Sequence, residues 1–179
     1  MSAEPITEYY SVLELYSVLL LLEITMSQAL KLWNRFKNKP AGKWTFSKLI
    51  CLKAPYFGSI SPVFEQLAPN YCEIKIKKQR SVLNHIGTVH AIAMCNMAEL
   101  AGGTMTDATV PSSHRWIPKG MTVEYLKKAE TDLTAIATPV EADFQWNQGS
   151  DYLVNVEVKD IHQNTVFKAM ITMWVSAKK

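Results

Sequence analysis

The sequence predicts an α+β fold in which a central helix packs on one face of an antiparallel sheet. Residues 84–99, NHIGTVHAIAMCNMAE, are small or apolar almost throughout after His90, which is typical of a buried helix. The second half of the chain has period-two strand patterns joined by short turns, which favour antiparallel pairing. Helices and strands are thus segregated along the chain, as they are in α+β proteins.

A long N-terminal helix is predicted over residues 7–38. Its apolar residues recur at steps of three and four and form one stripe: Leu15, Val18, Leu19, Leu22, Met26, Leu30 and Trp33. Pro40 and Gly42 end this pattern. We assign residues 1–42 to an N-terminal helical extension and residues 43–179 to the main domain. The extension is expected to pack against the domain or a partner subunit; peripheral contact with a membrane is the alternative, because basic residues follow the apolar part.

The other elements follow in order along the main domain. Residues 41–55 are interpreted as a connection. The central helix is predicted over residues 87–100, with Gly102-Gly103 as its stop. Six strands are predicted, two before this helix and four after it: 56–67, 71–78, 121–128, 132–141, 151–159 and 164–176.

Composition and charge restrict the functional class. The 179 residues carry a net charge of +3, with the basic residues in small groups, so we expect no nucleic-acid partner. Three cysteines without a metal-ligand spacing indicate reduced thiols and a cytoplasmic protein. No basic residue precedes Lys31, which is unlike a secretory signal. The apolar run from Val12 to Leu22 is too short and too interrupted to cross a bilayer.

Only three residues of the central helix are strongly polar, and they are His90, Asn96 and Glu99. An unpaired buried carboxylate costs free energy, so Glu99 is either catalytic or reaches the helix edge and is solvated. The alternative role for His90 is to cap the helix or bond to a loop, and Asn84 and Thr88 are also typical capping residues. A metal pair of His85 and His90 would lack further ligands, so no metal is expected.

The spacing of His90 and Glu99 bears on how they would act together. They are nine positions apart, so on one helix they point to opposite sides, about 13.5 Å apart along the axis. If both serve one site, two copies of the helix lie antiparallel, with Glu99 of one near His90 of the other. A shared site would therefore require a two-fold homodimer, and a dimer of dimers is left open.

The stretch resembles the hotdog-fold thioesterase superfamily, and within it the subgroup that includes the phenylacetate-pathway thioesterases. In that subgroup an Asn lies six residues before a His-Gly-Gly, and an Asp or Glu follows nine residues after the His. Asn84, His90 and Glu99 have these spacings. The later segment IPKGMTVEYLKKAETDLTAIATPV resembles the strand pair after the family's helix. The likeness covers about residues 50–177 and implies a long central helix wrapped by a curved antiparallel sheet, here with an extra N-terminal helix.

The resemblance also implies an activity and roles for four residues. The substrate would be an acyl thioester such as acyl-CoA, with coenzyme A as part of the substrate and no cofactor. Glu99 of one subunit would attack the thioester carbonyl or activate a water, two routes that the sequence leaves open. The N–H of Ala91 would meet the developing oxyanion. Asn84 would orient the water or the carboxylate across the interface, and His90 would position the loop or bond near the carbonyl.

Further residues are expected to contact the substrate. Gly87, Thr88 and Ile92 flank the catalytic candidates, and several cations are candidates to bind the phosphates of coenzyme A: Arg80, Arg115, Lys119, Lys127 and Lys128. His90-Ala91-Ile92 stands where the family has His-Gly-Gly, so Ile92 adds bulk where glycine permits close approach. This departure favours, as the alternative function, a non-catalytic acyl- or lipid-binding module. A hotdog hydratase is a third alternative, and it is less favoured because no Asp and His in the sequence have the short spacing of that group.

Overall fold

The computed structural model describes residues 27–146 and 149–178. The described helices are α1 (Gln28–Phe36), α2 (Gly42–Lys53) and α3 (Ala91–Thr109), with 3₁₀ helices at Pro55–Ile60 and Arg80–Val82. The strands are β1 (Val63–Ala68), β2 (Tyr71–Ile76), β3 (His114–Tyr125), β4 (Leu133–Pro139), β5 (Ser150–Lys159) and β6 (Thr165–Ala177). They form one antiparallel sheet in the order β1-β2-β4-β5-β6-β3.

Helix α3 is the centre of the fold. All six strands contact it, and most of its residues are buried. The predicted central helix wrapped by an antiparallel sheet is therefore confirmed. Strand β3 lies at one edge of the sheet, so one side of its backbone has no neighbouring strand within the described residues. Neither α3 nor another helix in this part of the chain is long and apolar enough to cross a membrane.

The central helix starts and ends later than predicted. It begins at Ala91 and continues through Gly102-Gly103 to Thr109. The prediction of a stop at the glycine pair was wrong. A Cβ at position 102 would lie only 2.9 Å from Ile171 Cδ1, so glycine is needed there for close packing of the helix on the sheet.

The segment between the first helix and the sheet also differs from the prediction. Helix α2 occupies most of the predicted connection at 41–55, and a 3₁₀ helix replaces the first part of the strand predicted at 56–67. The helical pattern of α2 is obscured because three of its large apolar residues are exposed: Trp44, Leu49 and Leu52. Tertiary packing of the other face of α2, rather than a clean apolar stripe, stabilises this helix.

Aromatic side chains join α1 and α2 to the sheet. The ring of Trp33 in α1 packs edge-on against Phe46 of α2, and Phe46 packs edge-on against Phe64 of β1. Helix α1 confirms part of the predicted N-terminal helix, and the rest of that prediction, residues 7–26, lies outside the described residues. The domain boundary placed after residue 42 stays a prediction.

The four strands predicted after the central helix are confirmed in order. Strand β3 begins at His114 rather than at 121, so Pro118 lies inside it, beside a register shift between Pro118 and Gly120. Proline, which cannot donate a ladder hydrogen bond, is tolerated because β3 is an edge strand. The sheet edge next to α3 is thus longer than the sequence pattern indicates.

Candidate active site

The turn before α3 is organised by Asn84. Its Oδ1 accepts hydrogen bonds from the N–H groups of Ile86 and Thr88, both at 3.1 Å, and its Nδ2 donates to Thr88 Oγ1 at 2.7 Å. Gly87 has a φ of +79°, a conformation that glycine adopts without strain. Asn84 and the buried Thr88 therefore hold this turn within their own subunit. The contacts expected of Asn84, Gly87 and Thr88 with the substrate stay predictions.

His90 is the N-cap of α3, which confirms the capping role that the sequence left as an alternative. Its Nδ1 accepts a hydrogen bond from Ile92 N–H at 3.0 Å. Because Nδ1 is an acceptor, a neutral ring has its proton on Nε2, where it can be donated to a ligand. The N–H of Ala91 bonds to no acceptor in the described part of the chain. Two donors from consecutive residues thus lie at the positive end of the helix dipole.

A pocket of about 330 Å³, the His90 pocket, lies at this end of α3. Its lining mixes polar and apolar side chains and includes Tyr56, Ser59, Ser81, His90, Ile92 and Asn96. Ile92 is 55% exposed, so its side chain lies in the space that a glycine would leave open. Asn96 is buried; its Nδ2 donates to Ser59 Oγ at 3.1 Å, and its Oδ1 has no partner among the described residues. The pocket therefore offers several hydrogen-bonding groups to a ligand.

A second pocket of about 350 Å³, the Glu99 pocket, is mainly apolar and is formed by α1, α2, α3 and the edge of the sheet. Its lining includes Ala29, Phe57, Leu100, Trp116, Pro118 and Met173, together with three charged residues: Lys53, Glu99 and Asp107. Glu99 is exposed in the single subunit, so the deep burial expected of this part of the helix does not extend to it. Its carboxylate is therefore accessible to a ligand or to a second subunit. Within residues 27–146 and 149–178, no three His, Cys, Asp or Glu side chains are grouped to hold a metal ion.

His90 and Glu99 line different pockets, but not for the reason that their spacing suggested. His90 precedes the helix in an extended conformation, with φ −64° and ψ 140°, so a helical angle between the two residues does not apply. The exposed side of α3 between the pockets carries Ile92, Cys95 and Glu99 at steps of three and four. On the neighbouring strand β3, Tyr125 Oη lies 3.3 Å from Cys95 Sγ. Neither pocket of one subunit contains both catalytic candidates.

The cations predicted to bind phosphate lie on different parts of the surface. Arg80 is exposed and is next in the sequence to residues that line the His90 pocket. Trp116 faces α3, so the adjacent Arg115 lies on the opposite face of the sheet. Lys119 forms an ion pair with Asp151 at 2.9 Å. A single subunit brings neither Arg115 nor Lys119 into either pocket, and their contact with coenzyme A stays a prediction.

Sequence reasoning missed three residues that line these pockets. Asn96 was recognised as polar but had no role, and Asp107 lay beyond the predicted end of the helix. The signal for Asp107 is its spacing of eight residues from Glu99, because on a longer helix this spacing keeps the two residues near the same side. Trp116 lay between the predicted central helix and the strand predicted from residue 121. A Cβ at Gly103 would lie 3.2 Å from Trp116 Cη2, so glycine lets the indole form the wall of the Glu99 pocket.

Comparison with known proteins decides the family. A family model described as a domain of unknown function, DUF4442, matches residues 42–175. The chain belongs to the DUF4442 family. The crystal structure of the structural-genomics protein APC5556 is 48% identical to this DUF4442 chain, with a TM-score of 0.73, and the match covers 84% of this chain and 98% of that one. No curated protein matches the chain.

More distant solved structures share the fold of the DUF4442 chain. The thioesterase HI1161 from Haemophilus influenzae is 12% identical, with a TM-score of 0.61 over 68% of this chain and 82% of that one. The Pseudomonas aeruginosa protein PA5026, described as a probable thioesterase, is 22% identical, with a TM-score of 0.66 over 73% and 92%. These likenesses confirm that the DUF4442 chain has the hotdog fold.

Proposed function

We propose that this protein is an acyl-CoA thioesterase that works as a homodimer. The observation that supports this most directly is the division of the reactive groups between two pockets. The carboxylate of Glu99 lies in a mainly apolar pocket, whereas the helix N-terminus with His90 and Ala91 lies at another. A two-fold dimer with antiparallel central helices brings each carboxylate to the helix N-terminus of the other subunit, which completes two equivalent sites.

The surface that such a dimer needs is available in the subunit. Ile92 and Glu99 are exposed on α3, and Met121 and Tyr125 on the neighbouring strand β3 are large apolar side chains that are 38% and 50% exposed. Exposed apolar groups beside an unpaired strand edge are typical of an interface. This surface supports a homodimer. Measuring the molecular mass of the protein in solution detects the dimer, and it also detects a dimer of dimers.

In the proposed reaction, Glu99 attacks the thioester carbonyl carbon or removes a proton from a water that attacks it. The carbonyl π electrons move to oxygen, and the oxyanion accepts hydrogen bonds from Ala91 N–H and His90 Nε2–H. The oxyanion then re-forms the carbonyl, the C–S bond breaks, and the sulfur leaves with its electron pair. It takes the proton held by Glu99 in the water route and a solvent proton in the direct route. In the direct route, water hydrolyses the resulting anhydride and restores the carboxylate. Asn84 keeps one Nδ2 hydrogen outside the turn, and this donor orients the water or the carboxylate.

The acyl group occupies the Glu99 pocket in this proposal. A volume of about 350 Å³ is within the range of small-molecule sites, and its apolar walls suit a hydrocarbon group. The thioester passes along Gly87, Thr88 and Ile92, and coenzyme A phosphates meet Arg80, Arg115 or Lys119 of the assembled dimer. The thioesterase HI1161 supports the reaction class because it shares the fold. The three cysteines are free thiols, which accords with the proposed cytoplasmic location.

The test is thiol release from short, long and aromatic acyl-CoA esters, with the wild type beside Glu99→Gln. We expect turnover to fall by at least about a hundredfold, because the amide keeps the shape of the side chain and loses its basicity. Asp107→Asn is the matched control, since it makes the same change in the same pocket and should keep most of the activity. The oligomeric mass of each variant in solution shows whether the variant is still a homodimer. Normal turnover in Glu99→Gln would remove the proposed mechanism.

The alternative function is a non-catalytic acyl- or lipid-binding module, and the exposure of Ile92 in the His90 pocket favours it. In that case the wild type binds acyl-CoA and returns it unhydrolysed. Ile92→Gly then distinguishes the two cases, because removing the side chain opens the pocket beside the Ala91 N–H. Turnover that appears only in this variant would assign the natural protein to the binding class.

A further inference from the structure

The charge of this protein is concentrated in one part of the chain. Residues 27–64, which we call the basic segment, contain seven Lys or Arg and no Asp or Glu. Residues 1–26 contain four Glu and no Lys or Arg, and residues 65–179 contain twelve basic and twelve acidic residues. The α1–α2 part of the described structure is therefore strongly cationic, whereas the sheet and α3 together are neutral. A charge this segregated marks a surface that attracts an anionic partner.

Most of the cations in the basic segment are free to meet such a partner. Six of the seven are exposed: Lys31, Arg35, Lys37, Lys39, Lys48 and Lys53. Lys43 is the exception, since its Nζ lies 2.7 Å from Glu65 Oε2. None of the six forms an ion pair with a carboxylate in the described part of the chain. Their charge is therefore not neutralised within this part of the protein.

Helix α2 also presents large apolar side chains to solvent. Its inner face carries Phe46, which is fully buried, whereas Trp44 is 57% exposed and Leu52 is 77% exposed on the outer face. Lys48 lies between the apolar positions of the outer face, with its Nζ 5.7 Å from the centre of the Trp44 ring. Apolar and cationic groups thus share one exposed surface.

We propose that the outer face of α2, with the surrounding basic segment, binds the surface of an anionic lipid bilayer. The side chains of Trp44 and Leu52 enter the boundary between headgroups and acyl chains, while Lys and Arg side chains meet anionic headgroups. A nucleic acid would pair with the cationic side chains but would offer no apolar environment to the exposed Leu52. A second copy of the chain would bring two cationic faces together, and their repulsion opposes that contact.

This surface adjoins the pocket that we assign to the acyl group. Ile50, Lys53 and Ala54 form part of the wall of the Glu99 pocket, and they belong to the same segment as Trp44 and Leu52. Docking through α2 therefore places one wall of the pocket near the lipid surface, where amphiphilic acyl compounds concentrate. This consequence rests on the proposed function, whereas the docking itself does not.

The test is sedimentation of the full chain with vesicles of phosphatidylcholine alone and with vesicles that also contain phosphatidylglycerol. We expect binding to the anionic vesicles, weakened by salt, and little binding to the neutral ones. Lys39→Glu with Lys48→Glu should reduce binding by about tenfold or more, because each cation contributes to attraction to the surface. Trp44→Ser with Leu52→Ser should weaken binding in high salt, where the apolar contribution dominates.

The matched control is Lys77→Glu with Lys78→Glu, which makes the same charge change on exposed residues at the end of β2. This control should bind vesicles as the wild type does. If it loses as much binding as Lys39→Glu with Lys48→Glu, the loss depends only on net charge, and the proposal is overturned. Equal binding to both kinds of vesicle, or no binding to either, would also overturn it. If the double variant Trp44→Ser with Leu52→Ser differs from the wild type in oligomeric mass when no lipid is present, the outer face of α2 binds a second copy of the chain. Turnover of soluble acyl-CoA is measured separately, so failure of either proposal leaves the other testable.

Discussion

The Glu99 pocket and the His90 pocket are of similar size but are built differently. The Glu99 pocket is lined by three helices and the sheet edge, and it is mainly apolar, with charged groups at its wall. The His90 pocket is built around a helix N-terminus and contains imidazole, hydroxyl and amide groups. One environment suits a hydrocarbon group, and the other suits a developing negative charge. In the proposed mechanism, this difference is the reason that a single subunit lacks a complete site and that the site forms between two subunits.

The most sensitive test of this comparison is complementation between two variants. Glu99→Gln and His90→Ala should each be nearly inactive, because each removes the reactive group of one pocket. After subunits are mixed and exchanged, about half of the dimers are mixed and each has one intact site, so about a quarter of wild-type turnover should return.

The control for complementation is each variant taken through the same exchange alone, which should recover nothing. If mixed dimers form, as shown by the mass of differently tagged subunits, and activity does not return, both residues act within one subunit. That result would contradict the division of the site between two pockets.

A large effect on stability is expected at the turn that supports the His90 pocket. Asn84→Ala removes a side chain that makes three hydrogen bonds, and it should lower the free energy of unfolding by about 1–3 kcal/mol. Asn84→Asp keeps the acceptor for the N–H groups of Ile86 and Thr88 and should lose less. Urea denaturation measures both. Equal losses would show that the donation to Thr88 Oγ1, rather than the two accepted bonds, holds the turn.

A change in the Glu99 pocket should alter acyl-chain preference and leave the other pocket unaffected. Gly103→Val places methyl groups against Trp116, so turnover of long-chain esters should fall about tenfold relative to short ones. Ile92→Ala in the His90 pocket is the matched comparison and should not change the ranking of chain lengths. Kinetics on a series of acyl-CoA esters measure this. An equal fall for all lengths would mean that the acyl group lies elsewhere.

The smallest expected effect is on stability at His90, and it distinguishes the role of His90 as an N-cap from its proposed role in catalysis. His90→Ala removes an N-cap and should cost about 1 kcal/mol of stability. His90→Asn keeps a good N-cap residue, so thermal unfolding should return close to wild type while turnover stays low, because the Nε2–H donor is missing. Full activity in His90→Asn would assign His90 to capping alone.

The two pockets were predictable from the sequence to different extents. Asn84, His90 and Glu99 were predicted as site residues from the spacing of a family motif, because motif residues near one helix are close in the chain. The Glu99 pocket was not predicted as a pocket, since Lys53, Asp107 and Trp116 come from distant segments. Asp107 was not predicted because Gly102-Gly103 was interpreted as a helix stop. Helix α2 was not predicted because its exposed apolar residues obscure the helical pattern.

The sequence by itself determined the α+β class, the order of the strands after the central helix, and the part of the chain that contains the reactive candidates. These are local properties, because apolar periodicity is read within a few residues and reports which face of an element is buried. Only the tertiary structure decided that α3 extends to Thr109, that Glu99 is exposed, and which segments form the separate pockets of His90 and Glu99. Packing between distant segments sets these features, since the space beside a side chain depends on every element that folds against it.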